Sequence, residues 1–211
     1  MMGKGLLAGF ALLGLAAGSV VAEGRTTKPS AATVPDWRAV ATRPDLRRIR
    51  DWREAFVQAL GEARTSGHEA VIAAEGALLD PDAGLDNPAI PAGRYRCRTL
   101  KLGSAAGSAL GFVAYPAFDC TVTTQGAVTT FTKINGSQRP VGRLYAGGLR
   151  RQIFLGTMMF GDEIRALGYA RDAGRDVAGA LERVGPQRWR LILPYPRFES
   201  TLDVVELIPA S

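Results

Sequence analysis

From residue 93 onward, apolar side chains recur at every second position in short runs that glycine keeps interrupting. A period of two marks a strand with one buried face. Runs this short, joined by tight-turn residues, favour antiparallel neighbours. Two candidate strands lie between Gly93 and Val122, and further runs cover 128–134, 141–145, 152–160, 166–171, 177–184, 189–193 and 202–208. Asn135-Gly136, Gly147-Gly148, Gly161-Asp162, Ala173-Gly174 and Gly185-Pro186 separate them. Residues 166–171 are read as strand because Gly168 and Gly174 weaken a helix there. A meander of about eight or nine strands curls into a barrel or sandwich. The outward parity carries Arg94, Arg96, Arg98, Arg188 and Arg190, so a lipid-facing barrel is disfavoured.

The first two strands hold the only cysteines, Cys97 and Cys120. Tyr95 and Cys97 share one parity. Phe112, Ala114, Phe118, Cys120 and Val122 share another, opposed by Tyr115, Asp119 and Thr121. Both sulfurs therefore belong to apolar faces. A disulfide forms if the strands are neighbours or face each other across a barrel; the alternative is a pair of reduced core thiols. Compartment decides between the two.

Lys4, an apolar run over 5–21, and the small-residue ending Val20-Val21-Ala22 have the layout of a secretory signal over 1–22. The run is short for a membrane span, and an uncleaved anchor is the alternative. Cleavage would leave a periplasmic chain with no membrane-spanning segment. An oxidising compartment favours the Cys97–Cys120 bridge, which would constrain the unfolded chain by about 3 kcal/mol.

Residues 23–35 are rich in Thr, Ser, Ala and Pro and read as a flexible linker. Residues 36–92 read as a helical segment. Thr42, Pro44 and Asp45 form a capping-box start, and Leu46, Ile49, Trp52, Phe56, Leu60 and Ala63 make one apolar stripe. A second, alanine-rich helix runs from about His68 to Leu79 and completes a helical hairpin. That hairpin has only the β region, 93–211, to pack against, so 36–211 is expected to fold as one domain. The class is α+β: a helical hairpin, then an antiparallel β-meander closing into a small calycin-like barrel.

Hydrophobic residues at 46% and charged residues at 22% exclude a disordered chain. A net charge of +6 invites a nucleic-acid reading, but the basic residues are nearly all arginine and form no dense run with interleaved aromatics. No nucleic-acid partner is expected. A single histidine, His68, and two cysteines leave no nitrogen/sulfur zinc set, and His68 reads as a solvated residue at a helix start. Asp80-Pro81-Asp82 and Asp86-Asn87 lack calcium-loop spacing. No phosphate loop or nucleophile elbow occurs. Neither cofactor, metal nor catalysis is expected.

Three candidate ligand-binding groups remain. Ser137, Gln138 and Arg139 are a polar run placed to line a barrel mouth, with Arg139 as the fixed charge. The competing reading is a hairpin turn whose Asn and Ser satisfy backbone groups. Tyr195 and Phe198, in a proline-stiffened stretch, form a lid or docking surface, or else aromatics packed down to anchor a loop. Trp189 joins Phe112, Phe118 and Leu191 as an inward apolar set.

Asp51-Trp52-Arg53, Glu75-Gly76-Ala77-Leu78-Leu79-Asp80, Tyr95-Arg96-Cys97-Arg98, Ser137-Gln138-Arg139-Pro140 and Arg188-Trp189-Arg190-Leu191 resemble a family of exported alphaproteobacterial proteins, the domain of unknown function four-eight-nine-three. The resemblance implies an envelope location and one domain over nearly the whole mature chain, and it carries no activity to transfer. The strand pattern is also distantly similar to calycin barrels of the lipocalin and bacterial protease-inhibitor kind. The expectation is a periplasmic barrel holding a small apolar or lipid-like ligand, closed by the helical hairpin. The alternative is a protein–protein module, an envelope adaptor or protease inhibitor.

Overall fold

The computed structural model describes residues 35–104 and 111–210. The expected signal segment and nearly all of the linker fall outside them. Among the described residues no helix is long and apolar enough to cross a membrane.

The β region begins with β1 (Gly93–Leu102), β2 (Phe112–Ala114), β3 (Phe118–Gln125) and β4 (Val128–Lys133). It continues through β5 (Gln138–Ala146), β6 (Gln152–Phe160), β7 (Asp176–Gly185), β8 (Arg188–Pro194) and β9 (Leu202–Pro209). Neighbours pair antiparallel in chain order from β3 to β9, and β9 pairs back onto β1 over Tyr95–Leu102. The sheet is thereby closed into a barrel, with β2 as an extra segment on the β3 side of β1. Closure removes the exposed edges that would template aggregation.

Alternate residues fill the interior. Tyr95, Phe131, Phe154, Leu181, Trp189 and Leu207 are all buried there, with Tyr95 edge-on to Trp189 and Phe131 edge-on to Phe154. Gly142 and Gly156 oppose each other across β5 and β6, and a Cβ on either would strike the partner backbone and the Phe154 ring. The barrel holds that ring because both positions lack a side chain.

The stretch 112–122, read as one strand of constant parity, is corrected. β2 and β3 both pair with β1, but between Ala114 and Phe118 three residues stand against two on β1. Pro116 has no N–H to give the ladder, which suits it to such a bulge. One extra residue flips every side chain beyond it. Phe118 faces inward, while Phe112 faces outward and packs on His68 at 5.8 Å. His68, expected to be solvated, is half-buried by that contact.

Cys97 and Cys120 are bonded, with Cα atoms 5.9 Å apart on paired strands. Both sulfurs lie inside the barrel.

The helical segment is α1 (Trp37–Val40), α2 (Arg43–Arg50), α3 (Trp52–Thr65) and α4 (Glu69–Glu75), followed by a 3-10 turn (Gly76–Leu78). Thr42 caps α2 as its sequence predicts, accepting from the Asp45 amide. The single apolar stripe is split at Asp51, which ends α2 and precedes α3. Trp52, Phe56, Leu60 and Ala63 nonetheless bury one face of α3 against outward-facing Leu100, Leu102, Ile192 and Val204. Each large side chain there contributes about 2 kcal/mol. The helices therefore cover the outer wall of the barrel and do not close its mouth, contrary to the expected hairpin lid.

Arg190 faces outward yet is fully buried beneath the helical segment. It pairs with Glu182 at 2.7 Å and donates to the carbonyls of Leu78 and Asp80, pinning the turn after α4 to the wall. Arg98 is shared by Glu75 and Glu206, and Arg188 also pairs with Glu206. Arginine is spent here on carboxylates.

The strand expected at 166–171 does not form. β6 and β7 pair directly, leaving that segment no partner. It is instead a loop tied by Glu163–Arg175 and by the Tyr169 hydroxyl, which donates to buried Asp45 at 2.6 Å.

The disulfide and the buried arginine each make a stability difference that can be measured. Cys97→Ser lowers unfolding free energy by about 2–4 kcal/mol without reductant, and reduced wild type matches it in denaturant titration. Arg190→Met leaves Glu182 to Arg151 alone and frees the buried carbonyls of Leu78 and Asp80, and costs about 2–3 kcal/mol; a midpoint within error of wild type would remove the pinning role.

Candidate functional site, a lysine-bearing cavity at the barrel mouth

At one end the side chains cease to meet, leaving a cavity of about 120 Å³. β1 contributes Lys101 by continuing the inward parity of Tyr95, Cys97 and Thr99. β4 ends on Lys133, two residues beyond buried Phe131. Asp203 opens β9 opposite Lys101, and Leu193 lies beside it on β8. Phe118 and Met158 supply apolar wall.

The two lysines are held differently. Lys101 Nζ lies 3.5 Å from Asp203 Oδ2 and 3.3 Å from Glu199 Oε2, and donates to Gln138 Oε1 at 3.0 Å. Lys133 Nζ donates to the Gln138 carbonyl at 2.9 Å and sits 3.8 Å from the centre of the Phe118 ring. Among the described residues no carboxylate forms an ion pair with Lys133, although the residue is 4% exposed. Burial drives its pKa down to about 8; Lys101 and Arg139 push the same way and Asp203 opposes them. Burial also pushes the Asp203 carboxyl up, against the pull of Lys101 and of the Ser200 hydroxyl that donates to it.

Of the residues singled out from sequence, Ser137 and Gln138 line this cavity. Arg139 does not. Its guanidinium donates to the carbonyls of Phe160, Gly161 and Glu163, fastening the loop after β6. Asn135 bonds Asp119 through both side-chain atoms, and Gly136 turns the chain at φ +91°. A Cβ at 136 would lie 3.0 Å from both Lys133 Nζ and the Phe118 ring, so glycine keeps the space the amine occupies. Trp189 lies deeper, four residues along β8 from Leu193. Tyr195 packs on the α3 side with its hydroxyl on Gln58, and Phe198 stands edge-on to Phe160. The structure thus joins two of the six in one site and places the other four elsewhere.

Lys101 and Lys133 were the residues missed. Only four of the 26 basic residues are lysine, and these two fall on inward strand parities, a signal present in the pattern. Among the described residues no group of His, Cys, Asp and Glu is arranged to hold a metal ion, and two ammonium groups would repel a cation here.

Residues 37–207 match a family model described as Domain of unknown function (DUF4893). The chain belongs to that family. No curated protein and no solved structure matches it. The chemistry of this DUF4893 domain is therefore argued from its own cavity.

Because the folded-state pKa of Lys133 lies below its ordinary value of 10.5, the unfolded chain binds more protons between the two values, and stability rises with pH across that window. Below pH 8 the buried charge costs on the order of 3 kcal/mol. Lys133→Met removes that cost, so it is the more stable protein at pH 7 and lacks the rise above pH 8. Comparing the two proteins cancels Tyr95, Tyr169 and Tyr195, whose raised pKa values act oppositely near pH 10. Parallel stability curves for the two would contradict the assignment.

Proposed function

We propose that the protein is a non-catalytic binding barrel of the cell envelope. Its ligand is compact and partly apolar, with an oxygen-bearing head seated against Lys133. The observation that carries this reading is the buried Lys133 amine, which no carboxylate of the described residues pairs and which opens onto a cavity lined by Phe118, Met158 and Leu193 together with Lys101, Gln138 and Asp203. An unpaired buried ammonium is costly, and a ligand oxygen offsets that cost.

Size narrows the apolar or lipid-like ligand expected from sequence. The interior below the mouth is occupied by Tyr95, Phe131, Phe154 and Trp189, leaving no path for a long acyl chain. A cavity of about 120 Å³ takes roughly six non-hydrogen atoms, by comparison with an engineered cavity that admits benzene. Tyr195 and Phe198 are spent on Gln58 and Phe160, which favours the carrier over an interaction module built on those two. The disulfide supports the envelope location, since such bonds persist in oxidising compartments.

Butyrate and its neutral analogue butanol test the reading by calorimetric titration. Wild type binds butyrate more tightly than butanol, and Lys133→Met weakens butyrate by about tenfold or more. Indistinguishable butyrate titrations for wild type and the variant would sink the proposal.

A further inference from the structure

The chain uses arginine almost everywhere, yet both lysines among the described residues direct their amines to the same cavity. Arginine keeps its proton in proteins, whereas a buried lysine beside a second cation can release one. The two positions are thus filled by the basic residue that can become a neutral nucleophile.

We propose that the cavity captures small aldehydes or ketones covalently, with Lys133 Nζ forming a reversible imine. This rests on the binding reading above and specifies the ligand class of the same site.

Three geometric facts support it. Among the described residues Lys133 carries no ion pair that would hold its proton, and its nitrogen meets a carbonyl and the Phe118 face. Lys101, by contrast, is fixed by Asp203 and Glu199 and serves as the standing positive charge. Asp203 lines the same space and is fully enclosed. The charged groups acting on Lys133 are Lys101 from β1, Asp203 from β9 and Arg139 from β5, and together with burial they bring its pKa to about 8. A useful share of neutral amine is then present near neutral pH.

The chemistry balances without an oxidant or reductant. The Nζ lone pair attacks the carbonyl carbon while the C=O π pair moves to oxygen. One proton passes from nitrogen to that oxygen, giving a carbinolamine. The nitrogen lone pair then expels the hydroxyl, which takes a proton from a solvent water molecule and leaves as water. The hydroxide so formed takes the remaining N–H proton. Amine and carbonyl become imine and water, and hydrolysis reverses the capture.

The test treats the full chain with butanal and cyanoborohydride near pH 8, then maps the alkylated lysines by peptide mass spectrometry. Lys28 and Lys101 are internal comparators. Lys133 is expected to be alkylated about tenfold faster than Lys28. Lys133→Arg should lose that adduct. Even alkylation of the three lysines, or none at Lys133, overturns the imine. If wild type binds butyrate in that case, the binding reading stands; if it does not, both fall. The wild-type map decides between these outcomes by itself, so the test holds even if Lys133→Arg fails to fold.

Discussion

Everything in this molecule depends on β1 having two partners. Over Tyr95–Leu102 it pairs with β9, and on its other side with β3 and β2. That double pairing turns a meander into a tube, and a tube of this strand number is just wide enough for side chains to fill. Filling succeeds with aromatics below the mouth and stops where Lys101, Lys133 and Asp203 arrive. The site is the place where the core runs out of apolar residues.

Charge burial inside and outside the wall follows opposite logics. Arg190 and Glu182 are enclosed together, and peptide carbonyls take up the remaining guanidinium donors. Such a group fixes geometry and has nothing left to offer a ligand. Among the described residues Lys133 is paired with a carbonyl and a ring face and with no carboxylate. Its destabilising position is the kind of cost folds carry where binding or chemistry is done.

Much of the architecture was legible because strand periodicity is local. The runs 152–160 and 202–208 match β6 and β9 to within a residue, and Thr42 begins α2 as its capping pattern requires. Parity puts both sulfurs of the disulfide on inward faces, and an oxidising compartment favours their bond over reduced thiols. What failed depended on partners the sequence does not display. The run 166–171 has strand-like composition but no neighbour to pair with. Arg139 was placed at the mouth by its neighbours Ser137 and Gln138, although alternation turns it to the opposite face. The two lysines were legible in principle, since Lys101 continues the parity of Tyr95 and Cys97. Composition hides them, since two lysines vanish among the arginines unless each is placed on its strand.

The bulge at 115–117 has a consequence for how this wall tolerates change. A single strand edge serves two cores there, Phe112 turned to the helices and Phe118 to the cavity. The extra residue acts as a phase shifter between them. What the segment must preserve is its length: a substitution leaves the alternation intact, whereas losing one residue would exchange inside for outside along one of the two arms. The disulfide just below fixes the phase of the lower arm through Cys120, so any slip falls on the short upper arm. In this barrel, spacing at one bend stores more structural information than the identity of the side chains that occupy it.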